Sequence, residues 1–155
     1  MSRRNRPALS VWQKCLVDEL RSLARERPQD VRVIQQPKLS TDGEATLRLR
    51  LHTADISRHP GGLELGDDEE FIIRIHPLMF VPPSVEVDHT RFLGFPHVLQ
   101  GQRLCIYLDP SREWRPSSGM AGFLSRLWDW LTDAAAGTFN PSTAMYHAVG
   151  GVLHH

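Results

Sequence analysis

The order of periodic segments predicts one α+β domain: a helix first, a four-stranded antiparallel meander, a long irregular loop, and a second helix. Three observations carry this. Apolar residues recur at helical spacing over 10–27 and again over 119–136, and strict alternation marks residues 44–52. A chain of 155 residues suffices for one compact core and is short for two, so residues 1–155 are read as a single domain with a flexible start over 1–8.

The first helix, 10–27, presents Trp12, Cys15, Leu16, Leu20, Leu23 and Ala24 on one stripe. Ser10 supplies an N-cap and Pro28 stands just past the end. On that stripe Cys15 reads as a small core residue. A short strand over 31–35 follows, and Thr41-Asp42-Gly43 marks a hairpin turn. Over 44–52, Ala45, Leu47, Leu49 and Leu51 share one face while Thr46, Arg48 and Arg50 share the other, the signature of a half-buried strand. The loop 57–68, with His59-Pro60-Gly61-Gly62 and an acidic cluster, reads as exposed.

Strands over 71–76 and 84–87 are separated by a stretch holding Pro77, Pro82 and Pro83. From 88 to 118 the chain is rich in proline, glycine and isolated polar residues, interrupted by the apolar run 103–108. Irregular stretches of that length inside a compact domain usually carry function. Regular structure resumes at 119–136, where Phe123, Leu124, Leu127, Trp128, Leu131 and Ala135 form an apolar face and Gly137 ends the helix.

Composition narrows the function classes. Eighteen basic and 18 acidic residues balance to a net charge of zero, which argues against a nucleic-acid partner, and Arg3, Arg4 and Arg6 read as a solvated terminal tail. No apolar run approaches the ~20 residues that span a bilayer, and no signal-peptide pattern opens the chain, so neither a membrane nor a secretory route is expected. Two cysteines, Cys15 and Cys105, make no disulfide framework, and free thiols in a cytoplasmic protein are the default. No Cys-x-x-Cys or His-x-x-x-His pair points to a metal, and no cofactor motif is present.

Residues 71–114 carry a set of motifs in order: Pro77-Leu78-Met79-Phe80-Val81-Pro82-Pro83-Ser84-Val85, then Phe95-Pro96-His97-Val98, then Gly101-Gln102-Arg103-Leu104-Cys105-Ile106-Tyr107-Leu108, then Trp114-Arg115-Pro116. This series resembles the core of the ubiquitin-conjugating enzymes, with their proline-rich turn, His-Pro-Asn tripeptide, cysteine and Trp-x-Pro. Asn140-Pro141 and both helices extend the likeness over nearly the whole chain. Here His97 stands where the family has asparagine, which suggests a divergent branch similar to the stand-alone conjugating enzymes of bacterial operons.

The resemblance implies that Cys105 carries a ubiquitin-like protein as a thioester, received from an activating enzyme and passed to an amine. A sulfur serves both as nucleophile and as leaving group, whereas a serine ester is too stable at the second step. It implies that His97 supports the oxyanion, orders the loop or acts as base. An acidic residue beyond the cysteine, Asp109 or Glu113, would help the amine lose its proton, with His147 a more distant candidate; Asp109 before Pro110 also suits a turn cap. Tyr107 and Trp114 are expected to pack beneath the loop. Residues 79–83 and 115–117 would form neighbouring loops that meet a ligase, and the first helix with Arg3, Arg4 and Lys14 would meet the activating enzyme. A deconjugating peptidase is a further possible partner, and a role in antiviral defence fits by analogy with such operons. The alternatives are an inactive binding module of the same fold, a cysteine hydrolase and a zinc site.

Overall fold

The computed structural model describes residues 8–92, 98, 102–107 and 109–137. Helix α1 spans Val11–Glu26. It starts where a capping box closes: the Gln13 amide donates to Ser10 Oγ at 3.1 Å, and Gln13 Oε1 accepts from the Ser10 amide at 2.9 Å. Gln13 is fully buried, and its side-chain amide donates to the carbonyls of Gly43 and Ile75 at 2.9 and 2.8 Å. Those bonds tie the start of α1 to the first hairpin and to the end of the third strand.

Four strands follow in the order of the chain: β1 (Val31–Leu39), β2 (Ala45–His52), β3 (Asp68–Ile75) and β4 (Ser84–Glu86), each antiparallel to its neighbour. Strand β1 runs past the expected end at Gln35. Pro37 is tolerated because β1 lies at the sheet edge, where the register with β2 shifts between Gln35 and Lys38. On β2 the predicted alternation holds, with Ala45, Leu47, Leu49 and Leu51 all buried. They join Phe71, Ile73 and Ile75 of β3 and Val85 of β4 on the inner face. Arg48, Arg50 and Arg74 face outward and pair with Asp88, Glu70 and Glu86 at 2.9 to 3.0 Å.

After β4 come a one-turn helix, α2 (Pro110–Glu113), a 3-10 turn (Pro116–Ser118) and helix α3 (Gly119–Ala136), which ends at Gly137 in the left-handed region. Helix α3 packs on α1, and α1 also packs on β1. Phe123, Leu127 and Leu131 meet Leu16, Val17 and Leu20 in one core with the inner sheet face. Each fully buried side chain of this kind contributes ~1.5–3 kcal/mol relative to leaving it in water.

Two expectations need correction. Cys15 is exposed, because the 3.6-residue period turns Gln13, Leu16, Val17 and Leu20 inward and leaves Cys15 on the flank with Glu19, 3.7 Å away. The loop after β2 is only partly exposed. Leu63 and Leu65 are buried, and the Leu63 amide donates to Ala134 at 2.8 Å, seating the loop beneath the last turn of α3. A Cβ at Gly62 would collide with the Ala135 carbonyl, so this approach requires glycine. The described part of the run 103–108 makes isolated bridges outside the four strands. The tail with Asn140-Pro141 and His147 lies outside the described residues.

Candidate active site

The run leading into Cys105 is held by backbone bonds along the edge of β4 that faces away from β3. The Leu104 amide donates to Val85 at 2.9 Å, the Val87 amide to Gln102 at 3.1 Å, and Arg103 bridges Glu86. Gln102 enters this run at φ 64°, a left-handed conformation costing a non-glycine residue ~1–2 kcal/mol. Val98, next in sequence to His97, bridges Leu104, next to Cys105. His97 itself lies outside the described residues, as does Leu108.

The Cys105 side chain is half-buried and lines a groove of about 400 Å³. Pro82 and Pro83 form part of its wall, Tyr107 and Pro110 another part, and Glu44 and Arg103 bring charge to it. Burial pushes the Cys105 thiol above its ordinary value, and the Arg103 charge partly offsets this. The resting group at neutral pH is therefore a thiol that must lose its proton before attack.

The floor beyond Cys105 is a stack of aromatic rings. Tyr107 meets Trp114 edge-on at 6.0 Å, and Trp114 meets Trp12 of α1 at 6.5 Å. This is the packing the sequence pointed to for Tyr107 and Trp114. The Tyr107 hydroxyl is pushed up to about 12, chiefly by burial, so it stays protonated and is no base near neutrality. Arg126 of α3, which the sequence reading did not single out, lies 5.2 Å from the centroid of the Tyr107 ring. Its guanidinium also donates to the Ile106 carbonyl at 2.9 Å and pairs with Glu113 of α2 at 2.7 Å. One side chain thus ties α3, α2 and the residue after Cys105 together, and no spacing in the sequence marks it.

Asp109 starts α2, directly before Pro110 of the groove wall. Its carboxylate accepts from Ser111 Oγ at 2.7 Å and lies 3.5 Å from Arg112, while its own amide donates to Glu113 at 3.1 Å. The side chain makes no cap bond to the helix backbone. Across from this turn, the Trp114 indole donates to the Met79 carbonyl at 2.9 Å. Leu78, Met79, Phe80 and Val81 project outward from that tie, with Phe80 79% exposed. Among the described residues no three His, Cys, Asp or Glu side chains converge as a metal site, and no helix is long and apolar enough to cross a membrane.

The model of prokaryotic E2 family A matches residues 17–149, a span that runs from α1 through the Cys105 groove and beyond α3. The chain belongs to prokaryotic E2 family A. No curated protein matches it. Membership makes this a ubiquitin-conjugating-type protein, and the family as a whole works with ubiquitin-like proteins and their activating enzymes. The helix–sheet–helix order described above is the α+β fold expected of an E2.

Proposed function

We propose that this E2 carries a ubiquitin-like protein as a thioester on Cys105. The observation that carries the reading is a cysteine in a family-A E2, half-buried in an open groove, with the residues just before it bonded to the free edge of β4. In the first step the Cys105 thiolate attacks the thioester carbonyl on the activating enzyme, and that enzyme's cysteine leaves as thiolate. In the second, a target amine attacks the Cys105 thioester, the Cys105 sulfur leaves, and the amine's proton passes to a base.

His97 is assigned to the oxyanion that forms between these states, as donor or as the residue that orders the loop. The bridge between Val98 and Leu104 supports it, because it brings the neighbours of His97 and Cys105 side by side. Asp109 is the candidate for assisting amine deprotonation. Its position beside Pro110 supports that role, although its carboxylate is engaged by Ser111 at rest. The outward apolar residues 78–81, tied to Trp114, suit a ligase contact. Action in a bacterial conjugation pathway with a role in antiviral defence, together with a deconjugating peptidase, completes the proposal.

The test incubates the protein with an activating enzyme, ATP and a candidate ubiquitin-like protein, followed by non-reducing gels. A thiol-sensitive adduct that turns thiol-resistant in Cys105→Ser is expected. His97→Asn is expected to retain transfer and His97→Ala to lose ~10²–10³ in its rate. Loading of the activating enzyme with no adduct on this chain would favour instead an inactive binding module.

A further inference from the structure

The bonds that fix the chain on its way into the groove stop at Cys105. Arg103 bridges Glu86 and the Leu104 amide bonds to Val85, whereas residues 105–107 belong to no bridge or strand. What directs the chain beyond that point comes from α3. Arg126 Nε donates to the Ile106 carbonyl at 2.9 Å, and its Nη2 reaches Glu113 Oε1 at 2.7 Å. The same Oε1 accepts from the Asp109 amide at 3.1 Å. One guanidinium therefore holds the carbonyl just after Cys105 directly, and the amide at the start of α2 through one shared oxygen. Between these two ties, the Tyr107 ring centroid lies 5.2 Å from the guanidinium and 6.0 Å from the Trp114 ring, which it meets edge-on.

Stability gives only a partial reason for this arrangement. Arg126 and Glu113 keep 34% and 27% of their side-chain surface in water, and pairs so placed contribute little to folding. What a planar guanidinium adds is direction. Its N–H bonds leave at fixed angles, so one rigid group sets both ends of the turn that follows the cysteine. We propose that Arg126 is a positioning residue with Glu113 as its relay: together they hold Ile106 and Asp109, and so fix the Asp109 carboxylate relative to the Cys105 sulfur. The proposal rests on the carrier reading above and deepens it. It also gives Glu113 a part other than that of amine base, since its carboxylate is engaged in the clamp.

The experiment uses the full chain with Cys15→Ser, leaving one thiol. Cys105 is loaded by exchange with a short peptide thioester ending in Gly-Gly, whose small thiol leaves, and transfer to free lysine is timed. Amide exchange at Asp109 is followed in parallel by NMR. Arg126→Met keeps an apolar stem against Tyr107 and removes the donors, while Glu113→Met removes the relay. Each is expected to slow transfer ~10–100-fold, the cost of a small misplacement of reacting groups, and to quicken exchange at Asp109. Arg126→Lys keeps the charge without the fork and should stay slow. Glu113→Gln keeps an oxygen for both donors and should recover most of what Glu113→Met loses. Leu49→Val, a core change in β2, should lower the Tm and leave transfer at the parental rate, which separates placement from stability. Parental transfer in Arg126→Met or Arg126→Lys would overturn the proposal. So would a Glu113→Gln as slow as Glu113→Met, because the Glu113 charge itself would then be what transfer needs. A parent that accepts the peptide but never yields it to lysine would count against the carrier reading. Exchange at Asp109 would then decide the clamp alone, and an unchanged rate in Arg126→Met would overturn it.

Discussion

The indole N–H of Trp114 donates to the Met79 carbonyl at 2.9 Å, so the loop that exposes Leu78, Met79 and Phe80 is anchored by its backbone to the ring stack beneath Cys105. Trp114→Phe keeps most of the buried area and loses this bond, and a stability decrease of ~1 kcal/mol is expected in urea unfolding. Trp114→Ala should cost ~3–5 kcal/mol by opening a cavity between Trp12 and Tyr107. Phe80→Ala, at a side chain already in water, should stay within ~0.5 kcal/mol.

Arg103 is the charge that draws the Cys105 thiol downward against the effect of burial. Alkylation by iodoacetamide, followed in a Cys15→Ser background, should therefore rise with pH and reach half its plateau above the ordinary thiol value. Arg103→Gln should move that profile further toward alkaline pH. A profile that stays put, or moves to lower pH, would show that Arg103 does not govern the sulfur.

Two histidines should shape stability in opposite directions. The bond from His52 to Asp68, 3.1 Å long, raises the His52 pKa above 6.5, so its contribution is full below 6.5 and fades as pH rises through the folded value. Burial, then Arg91, lowers the His89 pKa below 6.5. There the unfolded chain takes up the proton first, so stability falls as pH drops from 6.5 toward the folded value. Chemical denaturation across pH should show His89→Gln flattening the acid limb and His52→Gln flattening the decline above 6.5.

The N-terminus of α3 is fixed from α1. Glu19 accepts from the Met120 amide at 2.7 Å, filling one orphan donor and placing negative charge at the positive end of the helix. Glu19→Ala should lower stability by ~1 kcal/mol. Gly119→Ala should cost ~1–2 kcal/mol, since φ is 61° there and a Cβ would press on the Glu19 carboxylate. Thermal unfolding of the two variants checks both.

The periodic parts of this fold were legible and the contact-dependent parts were not. Helix α3 begins and ends at the residues its apolar spacing and Gly137 indicate, and the inward face of β2 follows from alternation alone. The packing of Tyr107 on Trp114 was legible because both stand in the ordered motif that runs through Cys105 to Trp114-Arg115-Pro116. The burial of Glu69 was not, because an acidic residue beside Asp67, Asp68 and Glu70 looks like a solvated run until Arg91 is found across from it. Arg126 escaped because its partners, the Ile106 carbonyl and Glu113, meet it only in the folded chain, and Cys15 was misplaced because one helical step separates it from the buried Leu16. The extension of β1 through Pro37 depends on its being an edge strand, which is a property of the whole sheet.

Intact-mass analysis with peptide mapping tests the carrier role most directly. After incubation with a competent activating enzyme, ATP and its ubiquitin-like protein, the chain should gain the mass of that protein less one water. Hydroxylamine should remove the added mass, and the linkage should map to Cys105 and survive Cys15→Ser. An unmodified Cys105 beside a fully charged activating enzyme, or a linkage found on Cys15, would contradict the account.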